Sequence, residues 1–172
     1  MKKVLIVVDM QKDFIDGSLG SKEALSIVSN VIEKIKSYEN DESIIYYTMD
    51  THYENYLDTP EGNKLPVEHC IKGTAGWMIP ESILRGHKNI FEKYTFGSID
   101  LFDELKKYES EIESIELIGL CTDICVVSNT MLAKAYFPDL KIIVDEKCCA
   151  GVTVESHQKA LDTMRMCQID II

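Results

Sequence analysis

Cys125 lies in Gly119-Leu120-Cys121-Thr122-Asp123-Ile124-Cys125-Val126, after the largely apolar residues 115–118 and before the helix-patterned residues 126–135. A cysteine on such a strand-to-helix elbow is expected to have a partly exposed sulfur, set against backbone N–H groups and the positive end of a helix dipole. Both lower a thiol pKa from its free value of about 8.5, which is the setting of a nucleophile. Asp9 ends the first apolar run and Lys93 follows the third. An ammonium holds a thiolate ionised, and a carboxylate can take the thiol proton and later deliver it to a leaving amine. Each residue also has a plainer reading. Asp9 could be a loop-initiating carboxylate or the acceptor of a receiver-type or nucleotide-binding domain. Lys93 could be a solvated surface lysine. Cys121 and Cys125 could be inert core residues or a redox pair, although their spacing is not Cys-x-x-Cys. The three make one site only if the fold brings them to one edge.

Asp50-Thr51-His52, Glu61 and His69 form a second set. Asp50 and His52 alternate by two, so an extended chain points both side chains to one side. Two imidazoles and two carboxylates suit Zn first, with Mn or Fe as alternatives. Asp58 rivals Glu61 as the third ligand position, and spacing alone equally allows a polar loop with unrelated histidines. His87, among Arg85, Gly86 and Lys88, reads as a solvated turn, and His157 reads as an exposed position on the last helix.

The elements that must position these groups alternate. Residues 3–8, 43–49, 89–91, 115–119 and 140–144 are mostly apolar runs of strand length, and residues 168–172 could add a short final strand. Continuous rather than alternating apolar runs predict a parallel sheet covered on both faces. Residues 24–38, 101–108, 126–135 and 154–166 carry helical patterns, with Ile27, Val28, Val31, Ile32 and Ile35 on one face of the first. This predicts one three-layer α/β/α domain over residues 1–172 with a mainly parallel central sheet. Residues 50–88 form one long irregular region holding three of the four histidines. It starts at a strand's carboxyl end, where sites form in open α/β sheets.

The 172 residues suffice for a sizeable core, and 45% hydrophobic with 27% charged residues is ordinary for a globular protein. A net charge of −11 argues against a nucleic-acid partner. No apolar stretch approaches the roughly 20 residues of a membrane helix. The run after Met1-Lys2-Lys3 is too short for a signal peptide, so the expected location is cytoplasmic, with no membrane partner. No G-x-G-x-x-G or Walker-type loop occurs, which argues against dinucleotide or NTP binding. Six cysteines without paired two-residue spacings argue against a four-cysteine zinc site, and most read as small buried residues.

With these residues in view, the chain resembles the isochorismatase-like cysteine hydrolases, and within them the nicotinamidases. The resemblance runs over nearly the whole chain. It rests on Val8-Asp9-Met10-Gln11-Lys12-Asp13-Phe14, Asp50-Thr51-His52, His69-Cys70-Ile71-Lys72-Gly73-Thr74-Ala75-Gly76, Lys93, and residues 119–126, in that order. It implies the isochorismatase-like hydrolase fold and a catalytic triad of Asp9, Lys93 and Cys125. It further implies a cis peptide between Leu120 and Cys121, with the backbone N–H groups of Cys121 and Cys125 as the oxyanion hole. Asp50, His52 and His69 match the family's metal ligands, Glu61 in Thr59-Pro60-Glu61 matches those of a subset, and Phe14 and Leu19 match positions lining the substrate pocket. The implied activity is hydrolysis of nicotinamide to nicotinate and ammonia, a step of NAD salvage, by a homo-oligomer acting on a small-molecule amide. A carbamoyl or ureido amide hydrolase of the same superfamily is the alternative, and a non-catalytic doubly wound binding module is the alternative of another class. The chain departs from the family at Cys121, where Ala is usual, and in the compact segment Lys93-Tyr94-Thr95-Phe96-Gly97-Ser98.

Overall fold

The computed structural model describes residues 1–40 and 42–172. Six parallel strands form one sheet: β1 (Lys2–Val8), β2 (Ser43–Asp50), β3 (Ile90–Lys93), β4 (Ile112–Leu120), β5 (Lys141–Ala150) and β6 (Asp170–Ile171). Their order is β3-β2-β1-β4-β5-β6. Starting from β1, the chain builds outward through β2 to β3, then returns to the other side of β1 for β4. The order therefore reverses between β1 and β4, and crevices open at the carboxyl ends of strands flanking such a reversal.

Alternate residues of β1 face opposite layers. Val4, Ile6 and Val8 join a core with Leu101, Phe102, Phe137, Leu161 and Met164. Leu5 and Val7 join one with Ala24, Ile27, Val31 and Ile35. The first layer is α5 (Ile99–Lys106), α6 (Val127–Tyr136) and α7 (Val154–Met166); the second is chiefly α2 (Lys22–Tyr38), begun by the Ser21 side chain accepting the Ala24 N–H. This is the predicted three-layer architecture, with every described strand pair parallel. Among the described residues no helix is long and apolar enough to cross a membrane.

The stretch expected to be irregular holds short helices. Pro60–Lys64 (α3) forms because Thr59 caps it, its Oγ1 accepting the Gly62 N–H at 3.0 Å, and Pro60 supplies the first helical position. The Thr122–Val126 turn, a π-helical segment, precedes α6 and carries Cys125. Gly119, before it, has φ 119°, and a Cβ there would meet the Val8 carbonyl oxygen at 2.2 Å. Only glycine permits this approach of β4 to β1. The Leu120–Cys121 peptide is cis, as the resemblance implies.

Candidate active site

Three strand ends and one turn bring the predicted residues together. Asp9 follows β1 in the left-handed region (φ 47°), Asp50 ends β2, Lys93 ends β3, and Cys125 sits in the turn after β4. The Lys93 ammonium lies 2.7 Å from Asp9 Oδ2. It donates to Cys125 Sγ at 3.5 Å, to Asp50 Oδ1 at 3.4 Å and to the Thr95 carbonyl at 3.1 Å. Thr48 Oγ1 donates to the other Asp9 oxygen at 2.7 Å. Asp9, Lys93 and Cys125 are 0%, 3% and 5% exposed.

Burial decides the electrostatics. Lys93 loses hydration, but Asp9, Cys125 and Asp50 outweigh that loss and keep it cationic. Burial raises the Asp9 carboxyl above its usual value despite Lys93, which makes it a stronger base. For Cys125 the sequence-based expectation is overturned in two respects. The sulfur is buried rather than partly exposed, and burial together with the Asp9 charge pushes the thiol well up, with Lys93 offsetting only part. Desolvation disfavours the thiolate more than the elbow and the ammonium favour it.

Beside this set, Asp50, His52, Glu61 and His69 offer one ligand atom each, all within 4.8 Å of one another. His52 Nε2 is 3.0 Å from Asp50 Oδ2 and 3.8 Å from Glu61 Oε1; His69 Nε2 is 3.5 and 3.7 Å from the same two atoms. Tetrahedral ligands with bonds of about 2.1 Å lie roughly 3.4 Å apart, so the four donors fit a divalent ion. His69 Nδ1–H donates to the Val67 carbonyl at 2.8 Å, which leaves the Nε2 lone pair for a metal. Tyr56, fully buried, packs edge-on against both imidazoles, and Phe14 lies against His69. Burial opposes the Asp50 charge, yet His52, His69 and Lys93 hold its carboxyl far below the usual range. Of the two rival positions, Glu61 joins the cluster, while Asp58 is exposed.

Cys125 and all four residues of the metal-type cluster line one cavity of about 920 Å³. Phe14 and Leu19 line it, as the resemblance implies, with Cys121, Cys125, Tyr94 and Phe96. Two residues of the site, Gln11 and Asn129, went unnoticed in the sequence. Gln11, fully buried, grips Asp50 by both backbone groups, accepting its N–H and donating to its carbonyl at 2.8 Å each. Asn129 accepts the Ser98 N–H and donates to the carbonyls of Phe96 and Cys125. His157, expected to be exposed, is half-buried, its Nδ1 2.8 Å from Thr122 Oγ1. Gln11 sits inside a motif and Asn129 four residues after Cys125, but their partners are distant in sequence. His87 is less solvated than expected, with Glu39 at 3.3 Å and its ring stacked on Tyr47.

A doubly wound parallel sheet with a buried cysteine–lysine–aspartate set and a metal-type cluster at one edge defines a class of α/β hydrolase. The chain belongs to the isochorismatase family, whose isochorismatase domain model matches residues 3–172. An isochorismatase family protein, PncA, of Bacillus subtilis is 31% identical over 94% of this chain and 93% of its own. The pyrazinamidase/nicotinamidase of Streptococcus mutans superposes with a TM-score of 0.85 at 27% identity, over 99% of this chain and 100% of its own. The N-carbamoylsarcosine amidase of Thermoplasma acidophilum superposes at 0.80, also at 27% identity, over 99% of this chain and 95% of its own. The protein is thus an isochorismatase-family hydrolase.

Proposed function

We propose that the protein hydrolyses nicotinamide to nicotinate and ammonia through a thioester on Cys125. One observation carries this reading: the Lys93 ammonium contacts Asp9, Cys125 and Asp50, and so joins the nucleophile set to the metal-type cluster in one cavity. In the proposed path Asp9 takes the Cys125 proton as the sulfur attacks the amide carbon, and Lys93 stabilises the thiolate character that develops. The backbone N–H groups of Cys121 and Cys125 receive the oxyanion; removing one such donor typically costs about 10²–10³ in rate. The C–N bond then breaks, and Asp9 returns its proton to the departing ammonia. Water, deprotonated by Asp9, adds to the thioester; the C–S bond breaks, Asp9 returns its proton to the departing sulfur, and the acid product loses its proton to solvent, leaving the carboxylate and the free thiol. Asp50, His52, Glu61 and His69 would hold a divalent ion, zinc first by donor type, which supplies a Lewis acid for the pyridine nitrogen and so orients the ring. Phe14, against His69, would flank that ring.

The similarity to an N-carbamoylsarcosine amidase at the same identity as to the pyrazinamidase/nicotinamidase supports a second reading, a carbamoyl-amide hydrolase. An ammonia-release assay on nicotinamide, pyrazinamide and a ureido substrate, with and without chelator, separates the two. The expected result is turnover of both pyridine-type amides, lost on chelation and restored by Zn²⁺ or Mn²⁺. Turnover of the ureido substrate alone, unaffected by chelator, sinks the nicotinamide reading.

A further inference from the structure

The first turn of α7 and the loop before it press on the elbow that carries Cys125. The Asp123 carboxylate accepts the Val152 N–H, at 3.1 and 3.2 Å. One turn further, His157 Nδ1 meets Thr122 Oγ1 at 2.8 Å, and Thr122 is wholly buried. Gly151 lets α7 come this close, since a Cβ there would meet His157 Cβ at 2.9 Å. Gly151 and Val152 line the main cavity, and His157 borders a separate pocket of about 170 Å³ between α2 and α7. The Thr122 hydroxyl therefore has its polar partner on another helix, and that bond ties the residue next to Cys121 to α7. The Cys121 carbonyl in turn accepts the Ile124 and Val126 N–H groups that wrap the turn around Cys125.

We propose that His157 is a positioning residue for the Cys125 elbow, acting through the Thr122 hydroxyl to hold the sulfur and the Cys121 and Cys125 amides in register with Lys93. The inference rests on the reading of Cys125 as the nucleophile. His157 touches no reacting atom; it fixes the frame from which the sulfur and two amides project. A displacement of about 1 Å at reacting groups can cost up to 10²-fold, so loss of one frame contact is expected to cost about tenfold.

The test compares wild type, His157→Ala, His157→Asn, Thr122→Val and the His157→Ala/Thr122→Val double variant. Two readouts are taken: the rate at which iodoacetamide alkylates Cys125, followed by mass spectrometry, and kcat and KM for nicotinamide. His157→Ala and Thr122→Val should each lower the alkylation rate and kcat by about tenfold with KM within about twofold. The double variant should be no slower than either single one, because both remove the same bond. His157→Asn should regain most of the loss, since its side-chain amide keeps a polar group near the Nδ1 position. Wild-type rates in His157→Ala overturn the proposal, as does a double variant whose loss is the product of the two single losses. Should the alanine variant not fold, Thr122→Val, which leaves His157 in place, decides alone, and wild-type rates in it overturn the proposal. A wild type that is alkylated at Cys125 yet releases no ammonia from nicotinamide defeats the substrate reading, while the alkylation comparison still decides the role of His157.

Discussion

Lys93 serves Asp9, Asp50 and Cys125 with a single ammonium, so it cannot fully compensate the desolvation of any one of them. Cys125 bears the consequence. Its thiol is raised by burial and by Asp9, so the proton stays on sulfur at neutral pH and leaves only as the pH approaches the raised value. Iodoacetamide should accordingly alkylate Cys125 slowly at pH 7 and progressively faster through pH 9. A rate already maximal at pH 6–7 would contradict this and restore a preformed thiolate. That Asp9, Lys93 and Cys125 meet at one sheet edge was legible in the sequence because each follows an apolar run of strand length, and parallel strands gather their carboxyl ends. The direction of the thiol's shift was not legible. It depends on burial and on charges remote in sequence, such as Asp9 and Lys93, which spacing does not reveal.

At the level of elements, the compact segment after Lys93 is tied to α6 rather than left as a loose wall. Asn129, fully buried, joins Ser98 and Phe96 to the Cys125 carbonyl through three hydrogen bonds. Asn129→Ala would leave a buried N–H and two carbonyls short of a partner, at about 1–3 kcal/mol in stability. It should also lower kcat about tenfold by loosening Lys93 against Cys125. A lower urea midpoint together with reduced kcat is the expected pair of results; unchanged turnover would detach Asn129 from the site. The helical and strand patterns did anticipate most elements, and α7 was read at its observed bounds, residues 154–166. The region after Asp50 was less legible. Its short α3 arises from a Thr59 cap and Pro60 rather than from periodicity, and that helix carries Glu61 into the metal-type cluster.

Across the whole molecule, the doubly wound topology places Asp9 and Cys125 on either side of the strand reversal, with Asp50 and Lys93 on the adjoining ends. A second polar group braces the sheet against α2. Lys34 Nζ is 2.7 Å from Glu116 and 2.8 Å from Asp145, and Tyr38 donates to Glu116 at 2.6 Å. Both carboxylates are largely buried, so Lys34→Met would strand two charges between α2 and the sheet. The expected loss is about 2–3 kcal/mol, below that of a fully buried pair because Lys34 keeps a fifth of its side chain exposed. Chemical denaturation should record this as a lower midpoint with an unchanged slope; no change in midpoint would remove the network from the list of stabilising features. Glu116 reads in the sequence only as an interruption of an apolar strand, since its partners come from a helix some eighty residues earlier.

The central claim is that Cys125 attacks an amide carbonyl held in this cavity. Ammonia release from nicotinamide by metal-loaded wild type and Cys125→Ala, assayed side by side, tests it most directly. The predicted result is turnover by wild type and a loss on the order of 10⁴-fold or more in the alanine variant. Turnover by Cys125→Ala within tenfold of wild type would contradict it.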